Sequence, residues 1–544
     1  MKSKLKIGLI ISNQTLLKWE YTIIKALIES DYAEINLVIN FSHSSPKKMS
    51  SGLWVHEKLD RLIFKHKSSF DLKIDSTEIF QGISQLNVKS DNEILDHSDE
   101  IKDLTLDLII CFNSQIPDIG QFQIAKFGIW YYEVGDALQF GNFWECYREV
   151  TKNRSEVGVA LKSVFGRQQP IVLFQSFLSI YPHSILVNRN DAYQYAIDIY
   201  LRTLKKLYSE QDIFFSRILN ENILDIKVLY NKKYDIPSSL EAFKNIFLLN
   251  WRFLSSKIRF SHKSFWFLQY KIYDQQSIFP PDMSSFKKAV PSKDRFWADP
   301  FPIYKNGKYF IFFEELDFKS DKGHISVLEL DEQGDVVQIE TIIERPYHMS
   351  YPFLLEWNKE LYMIPETSGN KTIDIYRCTQ FPNKWEFVMN LMKNISAKDT
   401  TLFYHNDLWW LFTSIKSEHG KCSELYLFYS TDFLSNEWIK HPQNPIVSDI
   451  RYERGAGSIF VNNGKLYRPS QDCSGTYGRA VNFNEIVTLN TEDYKEIMTS
   501  RIEPFWDNTL IGTHTFNLAE NFVVVDALQR RLRIGLYNPS DQGS

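Results

Sequence analysis

The second half of the chain repeats one pattern, in which two apolar strands are joined by a turn, five times at intervals of roughly 50 residues. In the first copy, the apolar run 297–303 is followed by a polar turn at 305–307 and by the aromatic-rich run 308–315. A period of about 40 to 55 residues with several short strands per unit is typical of propeller blades. The pattern therefore predicts a five-bladed β-propeller over residues 291–540.

The five inner strands of such a propeller surround one axis, so the residues that begin them should lie close together. A single strand pair cannot bury both of its apolar faces, and radial stacking of the units solves this problem. We expect a ligand where the strand starts converge, at Asp299, Ser350, Asp399, Ala456 and His514.

The N-terminal part of the chain alternates strand and helix signals. The continuous apolar run 6–11 is followed by helical apolar spacing over 15–30 and by a second strand at 35–39. Further buried strands are indicated at 107–112 and 128–132. This rhythm predicts an α/β domain with a parallel sheet, in which ligands bind beyond the carboxyl ends of the strands.

Two changes of pattern divide the chain. Apolar residues recur at helical spacing over 192–207, which predicts a helical connection between the two halves. A stretch rich in Pro and Ser then begins near residue 278, and we place the propeller boundary there. The predicted parts are an α/β domain over 1–185, a helical connecting segment over 186–290, and the propeller.

Composition narrows the classes of partner. The 544 residues carry a net charge of -5 without a basic block, which argues against nucleic acid as a partner. The five cysteines are scattered without the spacing of a metal site, so we predict no metal and a reducing, cytoplasmic location. No apolar stretch reaches the roughly 18 residues that a membrane span needs.

Four segments of the N-terminal part, at 107–113, 128–136, 140–145 and 157–161, together resemble the formyltransferase family. The resemblance covers roughly residues 1–180. It implies transfer of a formyl group to an amine, with N10-formyltetrahydrofolate as the donor.

The family's Asn, His and Asp are replaced in this chain. The Asn position holds Tyr131, the His position holds Glu133, and the Asp position lies close to Gln168. Glu133 as a base and Tyr131 as a donor are candidates for retained formyl transfer, although a carboxylate normally titrates near 4.3. Transfer of another acyl group through Glu133 and Asp136 is a second reading, and a binding or scaffolding domain is a third.

The propeller segments resemble the N-terminal region of glucosamine inositolphosphorylceramide transferase. The residues that carry this resemblance are 348–353, 363–366 and 467–473, within a region of about 290–535. Bacterial chains that pair such a module with a formyltransferase-like one resemble parts of surface-polysaccharide biosynthesis, and the order of modules here matches.

A more distant resemblance connects the propeller with five-bladed glycosidases of the arabinanase and xylosidase type. Those enzymes need two carboxyl groups, because one protonates the leaving oxygen while the other activates water or attacks the sugar. Asp299 and Asp399 match two of the family's acidic positions. The fourth blade reads Gly-Ala-Gly-Ser over 455–458 where the acid is expected, with Glu453 just before it.

Other polar residues occur at corresponding places in the repeats, and we predict that they bind a sugar or nucleotide-sugar substrate: Glu315, Glu366, Arg454, Asp472 and His514. Hydrogen bonding between blades is the alternative for each. Three functions remain open at this point. They are a formyl- or acyl-transferase-like protein of glycoconjugate biosynthesis, a non-catalytic carbohydrate-binding scaffold, and a propeller glycoside hydrolase that uses Asp299 and Asp399.

Overall fold

The computed structural model shows two units, residues 1–255 and 256–531, which are described separately. The residues that it describes are 2–12, 15–41, 51–64, 69–112, 124–135, 145–164, 170–224, 237–258, 263–274, 279–416 and 423–531. No helix among them is both long enough and apolar enough to cross a bilayer.

The first unit is built on a seven-stranded sheet. Its strands, with a separate two-stranded ribbon of β2 and β4, are β1 (Leu5–Ile11), β2 (Thr15–Leu17), β3 (Ala33–Phe41), β4 (Lys73–Asp75), β5 (Ser84–Val88), β6 (Leu108–Cys111), β7 (Ile129–Val134), β8 (Glu156–Val164) and β9 (Ile171–Ser179). The sheet order is β5-β3-β1-β6-β7-β8-β9. The first five strands in this order are parallel, whereas β8 is antiparallel to both of its neighbours.

The predicted parallel α/β sheet is thereby confirmed. Strands β1 and β6 are almost fully buried, as expected for strands that helices cover on both faces. The helices are α1 (Lys18–Ile28), α2 (Ser51–Phe64), α3 (Asp91–Asp96), α4 (Ser98–Asp103), α5 (Tyr147–Thr151), α6 (Ile185–Glu210), α7 (Asp212–Leu224) and α8 (Ser239–Ile258). Helix α6 includes the segment 192–207, in which apolar residues recur at helical spacing.

The second unit consists of five antiparallel sheets, which confirms the predicted propeller. Two strands precede the first complete sheet, β10 (Lys263–Ile272) and β11 (Lys287–Ala289). The first blade contains β12 (Arg295–Lys305), β13 (Lys308–Asp317), β14 (Lys322–Leu330) and β15 (Val336–Ile343). The second contains β16 (Ser350–Trp357), β17 (Glu360–Thr367), β18 (Thr372–Gln380) and β19 (Lys384–Lys393).

The remaining blades follow in chain order. The third contains β20 (Ala397–His405), β21 (Leu408–Lys416), β22 (Ser423–Ser430) and β23 (Ile439–Lys440). The fourth contains β24 (Arg454–Gly455), β25 (Phe460–Asn462), β26 (Lys465–Asp472), β27 (Ala480–Leu489) and β28 (Tyr494–Ile502). The fifth contains β29 (Leu510–Gly512), β30 (Phe516–Ala519) and β31 (Phe522–Arg531), together with β10 and β11.

The fifth blade joins the two ends of the propeller. Strand β10 pairs with β31 over ten residues, from Lys263 opposite Arg531 to Ile272 opposite Phe522. The predicted propeller start at residue 291 therefore leaves out two strands that the sheet includes. The physical reason is that β10 has a partner far away in sequence, and such a pairing leaves no local pattern around β10 itself.

Aromatic and aliphatic side chains fill the spaces between neighbouring blades. One cluster contains Phe301, Phe312 and Tyr351 and extends from the first blade to the third. Another joins the first blade to the fifth through residues such as Phe313 and Phe522. The high aromatic content of the chain is thus largely used for packing between blades.

Candidate functional site at the propeller axis

Three inner strands start with the same irregularity. Asp299, Tyr351 and Asp399 have positive φ angles of 51°, 45° and 51°, and the strand register shifts at each of them. Left-handed backbone at a non-glycine residue costs energy and is concentrated at functional sites. In the second blade, Tyr351 and not the expected Ser350 occupies the position equivalent to Asp299.

The side chain of Tyr351 is hydrogen-bonded to residues of two other blades. Its hydroxyl group accepts a hydrogen bond from the Gly457 N–H at 2.9 Å and donates one to the Gly457 carbonyl at 3.1 Å. The same oxygen lies 2.9 Å from the Thr401 hydroxyl, and the Tyr351 side chain is fully buried. Tyr351 therefore links the second blade to the third and the fourth.

A hydrogen-bonded network joins the first blade to the fifth. Asp299 accepts from the Thr515 hydroxyl at 2.8 Å and from the Tyr351 N–H at 3.2 Å. Asp526 accepts from the N–H groups of His514 and Thr515 at 2.8 and 3.0 Å, and from that of Asp299 at 3.2 Å. The His514 ring lies between the two carboxylates, with Nδ1 in contact with Asp526 and Nε2 3.7 Å from Asp299 Oδ1.

Burial and neighbouring charges shift the pKa values of Asp299 and His514 in this network. Burial, together with the carboxylates of Asp526 and Asp399, raises the pKa of Asp299 to about 6, against the attraction of His514. Burial alone would lower the pKa of His514, but the carboxylates of Asp526 and Asp299 outweigh it, and the pKa is raised. The geometry thus favours an imidazolium ion between two carboxylates.

Asp299, His514 and Asp526 also form a group that could hold a metal ion, because their ligand atoms lie within 4.8 Å of one another. Each of the four carboxylate oxygens also accepts one of the hydrogen bonds described above. The three side chains are therefore a candidate metal site and at the same time part of the network between the first and fifth blades.

The third and fourth blades meet at a buried ion pair. Arg454 Nε donates to Asp399 Oδ2 at 2.7 Å, and the side chain of Asp399 is only 2% exposed. A Cβ atom at Gly455 would approach the Asp399 carbonyl oxygen to 3.0 Å and the Tyr351 hydroxyl to 3.2 Å. The backbone of the fourth blade thus packs so closely against Asp399 that a side chain at residue 455 would require its neighbours to shift.

Two glutamates complete the axial cluster, and the strand register identifies them. Ala298 pairs with Glu314 and Ser350 pairs with Glu366, so these glutamates are equivalent in the first two blades. Burial raises the pKa of both, and the carboxylates of Asp299 and Asp399 respectively add to the shift. Glu314 was not among the predicted site residues.

These axial residues can be compared with known proteins. The family model described as glucosamine inositolphosphorylceramide transferase 1, N-terminal, matches residues 283–513. The rice (Oryza sativa subsp. japonica) glucosamine inositolphosphorylceramide transferase 1 is 38% identical over 207 residues, which is 37% of this chain and 28% of the relative. The Arabidopsis thaliana protein of that name is 30% identical over 207 residues, 37% of this chain and 27% of the relative. The chain thus spans little more than a quarter of these plant relatives.

Solved structures with a similar fold are glycoside hydrolases. One glycoside hydrolase has a TM-score of 0.34 at 9% identity and covers 53% of this chain and 97% of its own. A family 117 glycoside hydrolase produced by Zobellia galactanivorans has a TM-score of 0.32 at 12% identity, with coverages of 50% and 93%.

The region that matches the transferase N-terminal family includes most of the axial cluster. Asp299, Glu314, Glu366, Asp399 and Arg454 all lie within 283–513. His514 and Asp526 follow its end, and β10 precedes its start. The network between the first and fifth blades therefore combines residues from inside and outside the matched region.

Three other acidic residues discussed in the sequence analysis lie in separate contacts. Glu315 points to the opposite side of β13 from Glu314 and bonds to Arg295 and Ser326 at 2.6 and 2.7 Å. Asp472 forms an ion pair with Arg501 at 2.6 Å. Glu453 is buried, and Glu424 raises its pKa further, so its carboxyl group lies near another acid.

The predicted residues of the first unit form no comparable cluster among the described residues. Tyr131 is buried in the sheet, and burial raises its pKa. The Glu133 carboxylate is in contact with the Lys162 ammonium group. Asp136 and Gln168 lie outside the described residues.

Proposed function

We propose that this protein acts in the assembly of a glycoconjugate and that the axis of its propeller binds the saccharide. The observation that carries the proposal is the convergence of ionisable groups from all five blades on one buried place. The groups are Asp299, Glu314, Glu366, Asp399, Arg454, His514 and Asp526. Directed carboxylate and guanidinium groups are the polar partners that sugar hydroxyls require.

Two of these carboxyl groups have the properties of an acid and base pair. Burial, together with the carboxylate of Asp299, raises the pKa of Glu314 well above its ordinary value, which favours the protonated carboxyl group. The pKa of Asp299 is raised only to about 6, so Asp299 is largely ionised at neutral pH. Glycosyl transfer and hydrolysis use two carboxyl groups with different pKa values, one as the acid and the other as the base. We assign Glu314 the acid role and Asp299 the base role.

The matched family favours transfer of the sugar over hydrolysis. Its plant members are named glucosamine inositolphosphorylceramide transferase 1. A protein with this module and with a sugar site at the axis fits a step in glycoconjugate synthesis. Cytoplasmic residence stays a prediction.

Formyl transfer by the first unit has less support. A base must be free to take the amine proton, and Glu133 is held by Lys162. We therefore place the proposed chemistry in the propeller and give the first unit no part in it.

The test is a thermal-shift titration of the full chain with a panel of nucleotide sugars, free hexoses and hexosamines. A ligand at 100 times its dissociation constant stabilises the folded state by about 2.7 kcal/mol, which is readily measured. We compare the wild type with Asp299→Asn and Glu314→Gln. Glu356→Gln is the control, because Glu356 is 55% exposed at the outer end of its strand.

We expect at least one sugar to raise the melting temperature of the wild type and of Glu356→Gln. Asp299→Asn should lose the shift. Glu314→Gln keeps a neutral side chain, so it should bind the same sugar while losing turnover with an acceptor. If no member of the panel shifts the wild type, or if Asp299→Asn responds like the wild type, the axis is not the saccharide site.

A further inference from the structure

Helix α8 in the first unit is apolar on two opposite faces. Its inner face contributes the buried side chains of Ala242, Ile246 and Leu249. Its outer face presents a second apolar row, with exposures of 81%, 46%, 68%, 63% and 50%, formed by Leu240, Phe243, Phe247, Trp251 and Leu254. A surface helix of a soluble protein normally carries charged residues on its outer face. The outer face of α8 therefore requires a partner to cover it.

The inner face of α8 is held firmly by α2. A Cβ atom on Gly52 would come within 2.7 Å of the Ser239 carbonyl oxygen and 2.9 Å of the Ala242 Cβ. At the other end of the pair, the rings of Phe64 and Phe253 lie 5.2 Å apart. The helix is thus fixed along its length, and its outer row cannot turn inward without breaking this packing.

The outer row forms one continuous strip. Its residues follow at intervals of three and four, which places them on one side of the helix over about 21 Å. The rings of Phe247 and Trp251 are stacked at 6.4 Å.

A lysine borders this apolar surface, because Lys244 is exposed on α8 between Phe243 and Phe247. An apolar face rich in Trp, Phe and Leu with a lysine at its edge is the pattern of helices that lie in the headgroup region of a membrane. Anionic lipids attract a lysine in this position.

We propose that the outer face of α8 docks on the surface of a membrane that contains anionic lipids. A second copy of the chain is the competing occupant. Interfaces between packed helices favour Leu, Ile and Val, whereas three of the five residues in the outer row of α8 are aromatic. Aromatic side chains are enriched at membrane interfaces. This inference is independent of the proposed sugar site, which lies in the other unit.

The experiment is co-sedimentation of the full chain with vesicles of phosphatidylcholine alone and of phosphatidylcholine mixed with phosphatidylglycerol. The test variant is Phe247→Glu combined with Trp251→Glu. Both residues are exposed, so the fold should tolerate the change, and the melting temperature verifies this. The control is Phe505→Glu, because Phe505 is 78% exposed on the propeller unit.

We expect the wild type and Phe505→Glu to sediment with the mixed vesicles, and more weakly with phosphatidylcholine alone. The double variant should bind at least about tenfold less, since each aromatic ring contributes apolar burial. A wild type that stays in the supernatant overturns the proposal. So does equal binding of the double variant, or a dimer in solution that the double variant dissociates while no protein binds vesicles.

Discussion

The hydroxyl group of Tyr351 is hydrogen-bonded to both the N–H and the carbonyl group of Gly457, 106 residues further along the chain. This arrangement satisfies two buried backbone groups of the fourth blade with one side chain of the second. Tyr351 resembles a buried aromatic residue of the core, but its hydroxyl group connects two blades across the propeller axis by hydrogen bonds. Removing this hydroxyl group should therefore destabilise the whole propeller.

We expect Tyr351→Phe to lower the free energy of unfolding by about 1 to 3 kcal/mol, because the Gly457 N–H and carbonyl lose their partner without gaining water. Urea-induced unfolding measures the change. Tyr304→Phe is the matched control, since Tyr304 is 41% exposed and its change should stay within about 0.5 kcal/mol. Equal effects of the two changes would contradict the role assigned to the Tyr351 hydroxyl.

Loss of Arg454 should be more costly. In Arg454→Met the buried Asp399 carboxylate is left without its cation, and we expect about 3 to 5 kcal/mol of destabilisation. The double variant Asp399→Asn with Arg454→Met removes both charges, so it should recover part of that loss. A double-mutant cycle by chemical denaturation measures the coupling. Strictly additive effects would show that the ion pair contributes little.

The pH dependence of stability should reveal Asp299. Because burial raises the pKa of Asp299 from 3.8 to about 6, the folded state binds more protons than the unfolded state in this window. The free energy of unfolding contributed by this group therefore falls as the pH rises from 3.8 to about 6. Asp299→Asn should have a shallower slope over the same range. Unchanged slopes in urea titrations at several pH values would contradict the raised pKa.

A second pH effect is expected in the first unit at Glu20. Its carboxyl group accepts from the Leu17 N–H at 2.8 Å, but burial raises its pKa to about 8, with Glu145 adding to the shift. The wild type should lose stability as the pH rises from 4.5 to about 8. Glu20→Gln resembles the protonated acid and should remove this loss.

The control for this measurement is Glu29→Gln, because the Glu29 side chain is 65% exposed at the end of the same helix. Its stability profile should follow that of the wild type. Should Glu20→Gln be less stable than the wild type above pH 8, the carboxyl group is ionised in the folded protein and the interpretation is wrong.

The repeated blades were predictable because each blade is local in sequence. Two strands and the turn between them lie within some twenty residues, so alternating apolar positions mark them reliably. The positions of Asp299, Asp399 and His514 in the repeats predicted that they lie near one another, and their charges do interact in the structure. Counting from the first residue of the second strand relates Glu314 to Glu366, because each is the seventh residue of its strand, β13 and β17. Glu315, the residue predicted from the sequence, lies on the opposite side of β13 from Glu314.

Features that depend on distant partners were not predictable in this way. Tyr351 reads as a core residue, and its polar role depends on Gly457 in another blade. Asp526 lies in an apolar strand, and its role as a hydrogen-bond acceptor depends on the N–H groups of His514 and Thr515. Strand β10 looks like part of a connection until its partner β31 is known. In each case the deciding contact joins parts of the sequence that no local pattern connects.

The pairing of β10 with β31 has a consequence for how the chain is made. Strand β10 leaves the ribosome some 250 residues before β31, a delay of tens of seconds at usual rates of translation. During this time four blades can form while β10 keeps an open edge that invites wrong partners. A polypeptide whose synthesis stops at residue 521 lacks β31, so β10 has no partner there and the propeller stays open. Chaperone dependence of the nascent chain should end when that strand emerges.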